Sequence, residues 1–230
     1  SDPLTSPSKF TVALIQEGMG NLKDAFYYTR PALESAVPVF EGKKCYADHP
    51  SAFEEENRPE RSVRDVIGHF ENVHIEENED GRAMLCADLV VMPEEPYKWA
   101  QSLMSHAVKF SEKYKDKTFI GLSINASGDA NPVKIADFLQ EGNVPSGAKL
   151  KLEKAMSEGI NEVRLVTAIK DAVSADLVTE PGASGTLLDL LEGEKMLDPK
   201  SDKIAVSAEA DGAPADHADE QQDKELIKKM

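Results

Sequence analysis

An apolar run with a serine inside it constrains this chain most. Residues 117–128 read KTFIGLSINASG, with Phe119-Ile120-Gly121-Leu122-Ser123-Ile124 at their centre. A short apolar run that ends in small and polar residues predicts a buried strand. A hydroxyl in the middle of such a strand is either a core group satisfied by hydrogen bonding or a nucleophile presented by rigid backbone. Taken by itself, the stretch favours the first reading. Gly121 stands two residues before Ser123 on the same strand face, and it is expected to leave room there for a substrate backbone.

The rest of the chain bounds what such a strand can serve. With 230 residues, 40% of them hydrophobic, it is long enough for one domain of moderate size with extra segments. A formal net charge of -16 argues against nucleic acid or an anionic membrane as the main partner. No run of 18 apolar residues predicts a transmembrane helix, and no secretory signal opens the sequence. Ser1-Asp2-Pro3 carries no initiator Met, which reads as a processed or trimmed chain. Cys45 and Cys86 lie far apart without metal-ligand spacing; two free buried thiols in a reducing compartment are expected, a structural disulfide being the alternative.

Residues 1–8 read as a flexible lead. A β-branched run predicts a strand over 10–16, followed by a loop at Gly18-Met19-Gly20-Asn21. Thr29 is an expected N-cap, with Pro31 in the first turn of a helix that stops near Ala36, because Pro38 pushes Val37 out of helical geometry. A strand over 43–47 delivers Asp48-His49-Pro50. Pro59 and the surrounding charges mark an exposed loop. Strands over 65–75 and 82–91 flank Asp80-Gly81, a strong hairpin signal. The clearest helix is 96–114, with Trp99, Leu103, Ala107 and Phe110 on its expected core face.

After the serine strand, 129–160 reads as a flap or surface insertion with a short helix near 150–156. Two strands, 162–168 and 172–179, and a short helix over 186–191 complete the core. From residue 192 the chain is acidic with few large apolar residues, and disorder is expected there. Residues 224–230 read as the start of a further helix. The expected architecture is therefore α+β: a core over 9–191 forming a mostly antiparallel, closed β-barrel flanked by helices.

His49, Ser123 and Asp176 stand at strand ends or centres. Histidine can accept a serine proton, and a carboxylate can fix the imidazole tautomer. As bare composition the trio is weak. Four ordered blocks strengthen it. The first is Tyr28-Thr29-Arg30-Pro31-Ala32-Leu33-Glu34 with Val39-Phe40-Glu41-Gly42-Lys43, and the second is Asp48-His49-Pro50. The third is Arg61-Ser62-Val63-Arg64-Asp65-Val66-Ile67-Gly68. The fourth pairs Gly121-Leu122-Ser123-Ile124 with Ser174-Ala175-Asp176-Leu177-Val178-Thr179-Glu180-Pro181.

Over residues 10–185 the chain resembles the prohead (capsid maturation) proteases of tailed phages, which are related in fold to the herpesvirus assemblins. The resemblance implies a serine endopeptidase with an assemblin-like barrel, acting inside the assembling prohead in the host cytoplasm. Its substrates would be scaffold and capsid precursor proteins and the protease itself. No cofactor, metal, nucleic-acid or membrane partner is expected, and homo-oligomerisation is left open. The catalytic pair would be His49 and Ser123. Asp176 is the nearest match to an acidic residue that many phage relatives carry before an LVT-x-P segment, with Ser174 as the other alignment. The assemblins' second histidine keeps His69 and His74 as alternatives. The acidic tail would lead into a scaffolding segment.

The plainer readings are a turn role for His49, sheet-surface roles for His69 and His74, and a structural role for His106. His217 lies in the acidic tail. Ser127 is a rival nucleophile that reads better as turn chemistry. Asp48 and His49 beside Glu54, Glu55 and Glu56 lack a second histidine at metal-ligand spacing. Arg61 and Arg64 read as a solvated face rather than as substrate contacts. The rival function is an inactive or weakly active structural scaffold that retains the protease fold.

Overall fold

The computed structural model describes residues 8–191, apart from 23, 58–59, 115–116, 142–143 and 183. The expected disordered tail, the helix start at 224–230, His217 and nearly all of the N-terminal lead lie outside the described residues. Ser8 already belongs to the first strand, β1 (Ser8–Gln16).

One long strand organises the sheet. β8 (Glu162–Val178) is continuous where two strands were expected, and it pairs along its whole length with β7 (Gly121–Lys134), antiparallel. Its other edge receives two short strands in parallel: β3 (Phe26–Tyr28) against 164–166, and β4 (Lys44–Tyr46) at Ser174. From β4 the sheet continues through the expected hairpin of β5 (Val66–Glu77) and β6 (Ala83–Val91), then β1 and finally β9 (Thr186–Leu191). A two-residue strand, β2 (Gly18–Met19), caps the other end beside β3. The sheet is therefore mixed and curled, with β2 and β9 as the ends of its path, and the expected closed antiparallel barrel is not formed. Hairpin signals report only antiparallel neighbours in sequence, so the two parallel pairings, made across more than a hundred residues, leave no such mark.

Helix α1 (Arg30–Phe40) starts as its residues dictate. Thr29 Oγ1 accepts from the Ala32 amide at 3.3 Å and donates to the Val166 carbonyl at 2.8 Å. The helix runs past Pro38, where a stop was expected. Proline there disturbs only the last turn, and continuing to Phe40 buries that ring completely with Ala32, Leu33 and Ala36. The acidic loop holds a short helix, α2 (Ala52–Asn57), ahead of a 3₁₀ turn, Val63–Asp65. In α3 (Lys98–Lys113) the buried face is Ala100, Met104, Ala107 and Val108, one position round from the expected face; Trp99 is half exposed.

The region expected as a flap is structured. After β7, α4 (Ile135–Gln140) and α5 (Ser146–Ser157) bury Ile135, Phe138, Ala148, Leu152 and Ala155 against Met19, Tyr27 and Val163. This second cluster flanks the main core of β1, β5, β6, β8, α1 and α3. Residues 186–191 form a strand rather than a helix, because β1 offers them a pairing edge. Cys45 and Cys86 are free and buried. Among the described residues no helix is long and apolar enough to cross a membrane.

Candidate active site

The pairing of β7 with β8 sets Ser123 directly opposite Asp176. His49 reaches the same place from another direction. Just beyond β4, Ala47 bridges Leu177 in parallel and its amide donates to Asp65 O at 2.8 Å, while the Asp48 amide donates to Leu177 O at 3.0 Å. The chain is thus pinned to β8 one residue after Asp176. It then turns at Asp48, which has φ +61°, a left-handed value that a short polar side chain tolerates better than most. That turn aims His49 at both strands.

The result is an unbroken hydrogen-bonded chain. His49 Nδ1 lies 2.7 Å from Asp176 Oδ2, and His49 Nε2 lies 2.8 Å from Ser123 Oγ. One tautomer serves both contacts: Nδ1–H donates to the carboxylate, and Nε2 accepts from the hydroxyl. Asp176 is completely buried, whereas the His49 side chain is 35% exposed, so the base opens to solvent and its orienting acid does not. The structure brings together all three residues expected from the sequence.

The alternatives stand elsewhere. Ser174 is buried two residues before Asp176, and its hydroxyl has no hydrogen-bond partner among the described residues. His69 Nε2 meets Glu71 at 3.0 Å; His74 meets the Asn72 carbonyl at 2.6 Å and Glu76 at 3.0 Å. Ser127 is exposed on β7 opposite Asp171, beyond the first bulge. His106 packs edge-on against Phe119. Cys45 lies close to Asp176; burial first, then that carboxylate, push its thiol well above the ordinary range, so it stays protonated and is no rival nucleophile. Among the described residues no group of three His, Cys, Asp or Glu could hold a metal ion.

Two parts of the site were misread from sequence. Gly121 does not clear space for a substrate. A Cβ there would stand 2.3 Å from Gly185 O and 2.7 Å from Pro181 Cγ, so the missing side chain admits the chain's own loop at Pro181 and Gly185. That loop walls the nucleophile: a Cβ on Gly182 would lie 4.0 Å from Ser123 Oγ, and the Leu122 amide donates to Gly185 O at 3.3 Å. The second is Arg61, which is not on a solvated face. Its side chain is 8% exposed, and Nη1 donates to Asp176 Oδ2 at 2.8 Å. Arg64, by contrast, is exposed. A cleft of about 310 Å³ opens beside His49, with Pro50, Glu54, Arg61, Ser62 and Asp65 among its lining.

No protein-family model, curated protein or solved structure matches this chain.

Proposed function

We propose that this chain is a serine endopeptidase in which Ser123 is the nucleophile, His49 the general base and then acid, and Asp176 the orienting carboxylate. The observation that carries the reading is the Asp176–His49–Ser123 chain at 2.7 and 2.8 Å, with the acid buried and the base half open. Serine hydroxyls are poor nucleophiles until a neighbouring base accepts their proton. Here Nε2 is already placed to accept it as Oγ attacks a scissile carbonyl. The imidazolium formed would be stabilised through Nδ1–H by Asp176 and would return its proton to the leaving amine. Water would then attack the acyl-enzyme along the same path.

The choice of substrate rests on the resemblance of the four sequence blocks to prohead proteases: scaffold and capsid precursors, with cleavage of the chain itself, during phage prohead maturation. The cleft beside His49 gives an extended peptide a place to lie next to the base. The test is mass spectrometry of the full-length chain, alone and mixed with candidate scaffold and capsid precursors, wild type against Ser123→Ala. Serine-dependent cleavage supports the reading. A wild-type chain that neither cleaves nor reacts with a fluorophosphonate at Ser123 would leave a structural protein with a protease fold. Full activity in Ser123→Ala would move the nucleophile to Ser127.

A further inference from the structure

We infer that Arg61 is a positioning residue of the triad, one guanidinium that locks the buried acid to the backbone carrying the base. The inference rests on the protease reading above and adds a fourth member to it. The Arg61 side chain is 8% exposed, and its planar head is held at both Nη atoms and on one face. Nη1 donates to Asp176 Oδ2 at 2.8 Å, Nη2 donates to the Asp48 carbonyl at 2.6 Å, and the Tyr46 ring lies under Cζ at 4.0 Å. Asp48 immediately precedes His49 and sits in the left-handed region, as Arg61 itself does at φ +54°. Non-glycine residues held there persist when surrounding contacts fix them. The spacing between the two Nη atoms is set by covalent geometry, so the guanidinium gauges the distance between Asp176 and the turn that aims His49. A lysine ammonium is a compact point charge with no such fork.

The shared oxygen indicates how Arg61 acts. Arg61 and His49 both donate to Asp176 Oδ2, while Oδ1 is buried without a hydrogen-bond partner among the described residues. A fixed positive charge on the atom that receives the imidazolium works against that imidazolium electrostatically. The benefit of Arg61 is therefore geometric: it holds Oδ2 and the Asp48–His49 backbone in register, at some cost in electrostatic help from Asp176.

The test uses the full chain and two readouts. One is the rate of fluorophosphonate attachment to Ser123, followed by intact mass. The other is the low-field proton resonance of the His49 Nδ1–H bonded to Asp176. Arg61→Gly suits the left-handed backbone and empties a site that borders the cleft. Its labelling is expected to fall about 100-fold, the usual scale for a catalytic group misplaced by roughly 1 Å. The low-field resonance should be lost as well. Guanidinium chloride at a low, non-denaturing concentration should restore part of both. Ammonium chloride, with equal charge but no fork, should restore neither, and Arg61→Lys should fall between wild type and Arg61→Gly.

Wild-type labelling in Arg61→Gly, or equal rescue by ammonium and guanidinium, would overturn the inference. If Arg61→Gly does not fold by circular dichroism, Arg61→Lys decides: a wild-type rate and resonance would overturn it. If wild type itself does not label, the protease reading falls, and the resonance alone judges the positioning role: its survival in the Arg61 variants refutes it.

Discussion

Replacing Asp176 with asparagine is the sharpest perturbation of this site. The shape is kept and the charge removed from a side chain with no exposure to solvent. In wild type one oxygen, Oδ2, accepts from both His49 and Arg61, while Oδ1 meets no partner among the described residues. An asparagine has two ways to sit there. With its carbonyl in the place of Oδ2, both hydrogen bonds survive, but the amide's two N–H donors point into the unpartnered space. With the amide turned over, its N–H₂ faces His49 Nδ1 and selects the wrong imidazole tautomer. Either way the imidazolium loses its counter-charge. The same change in a chymotrypsin-type triad costs about 10⁴ in rate, or ~5 kcal/mol of transition-state stabilisation at about 1.36 kcal/mol per tenfold. Stability should fall too, because Arg61 keeps its charge in an 8%-exposed position. Stranding one partner of a buried pair costs about 3–5 kcal/mol, a large share of a domain's typical 5–15 kcal/mol. The assays are fluorophosphonate labelling of Ser123 and urea denaturation, with His69→Ala and His74→Ala in parallel. Labelling within tenfold of wild type in Asp176→Asn would refute the argument. If His69→Ala or His74→Ala were instead the damaging change, the site would be a Ser-His-His arrangement; if all three were mild, a Ser-His dyad.

Ser123→Ala should abolish proteolysis with an unchanged denaturation midpoint, since it removes one hydroxyl whose contact is to the half-open His49; circular dichroism and the cleavage assay check it together. Gly121→Ala should slow labelling and destabilise the domain by about 1–3 kcal/mol, the usual scale of overpacking, because its Cβ would collide with Gly185 O and Pro181 and displace the loop beside Ser123; wild-type behaviour by both assays would show that the loop yields freely. His74 is raised above its ordinary value near 6.5 by its bond to the Asn72 carbonyl and then by Glu76. Its contribution to stability is therefore full below that ordinary value and is lost as pH rises through the raised one. His74→Ala should lower the unfolding free energy from urea denaturation at pH 5 by under about 1 kcal/mol, because the ring is partly exposed and screened, and change it less at pH 9; a larger loss at the alkaline end would contradict the sign.

What the sequence showed and what it hid divide along physical lines. Local devices were legible. Asp80-Gly81 reads as a turn, and Gly81 takes φ +76° between β5 and β6. Thr29 reads as an N-cap and accepts the amide it should. Pairings between distant strands were not legible, since nothing in Phe26-Tyr27-Tyr28 announces a parallel partner at 164–166. The same cause explains the 129–160 segment: its apolar residues are too sparse to suggest a core until Met19 and Tyr27 supply the other side. At 186–191 the run TLLDLL fits either period, and the free edge of β1 decides for a strand.

The candidate site shows the same division at higher stakes. His49 and Asp176 stood out only through the four blocks that resemble prohead proteases, whereas Ser123 was legible as a hydroxyl inside an apolar strand. Arg61 was not, because an arginine in a run of charges has the same local signature whether it faces water or a buried carboxylate. Only the third dimension separates the cases. β4 and β8 run side by side, so the chain leaving β4 passes Leu177, and the segment ahead of β5 passes Asp48. A buried Asp176 with solvent on no side must then find a cation or lie uncompensated. His49 is neutral when it acts as a base and cannot be that cation. A permanently charged donor nearby offsets the burial of this acid, and Arg61 is the residue the fold brings to it. Offsetting the buried charge belongs to folding, while the catalytic benefit of Arg61 is geometric, and both place the partner of such a triad's acid in the charge run that precedes the next strand.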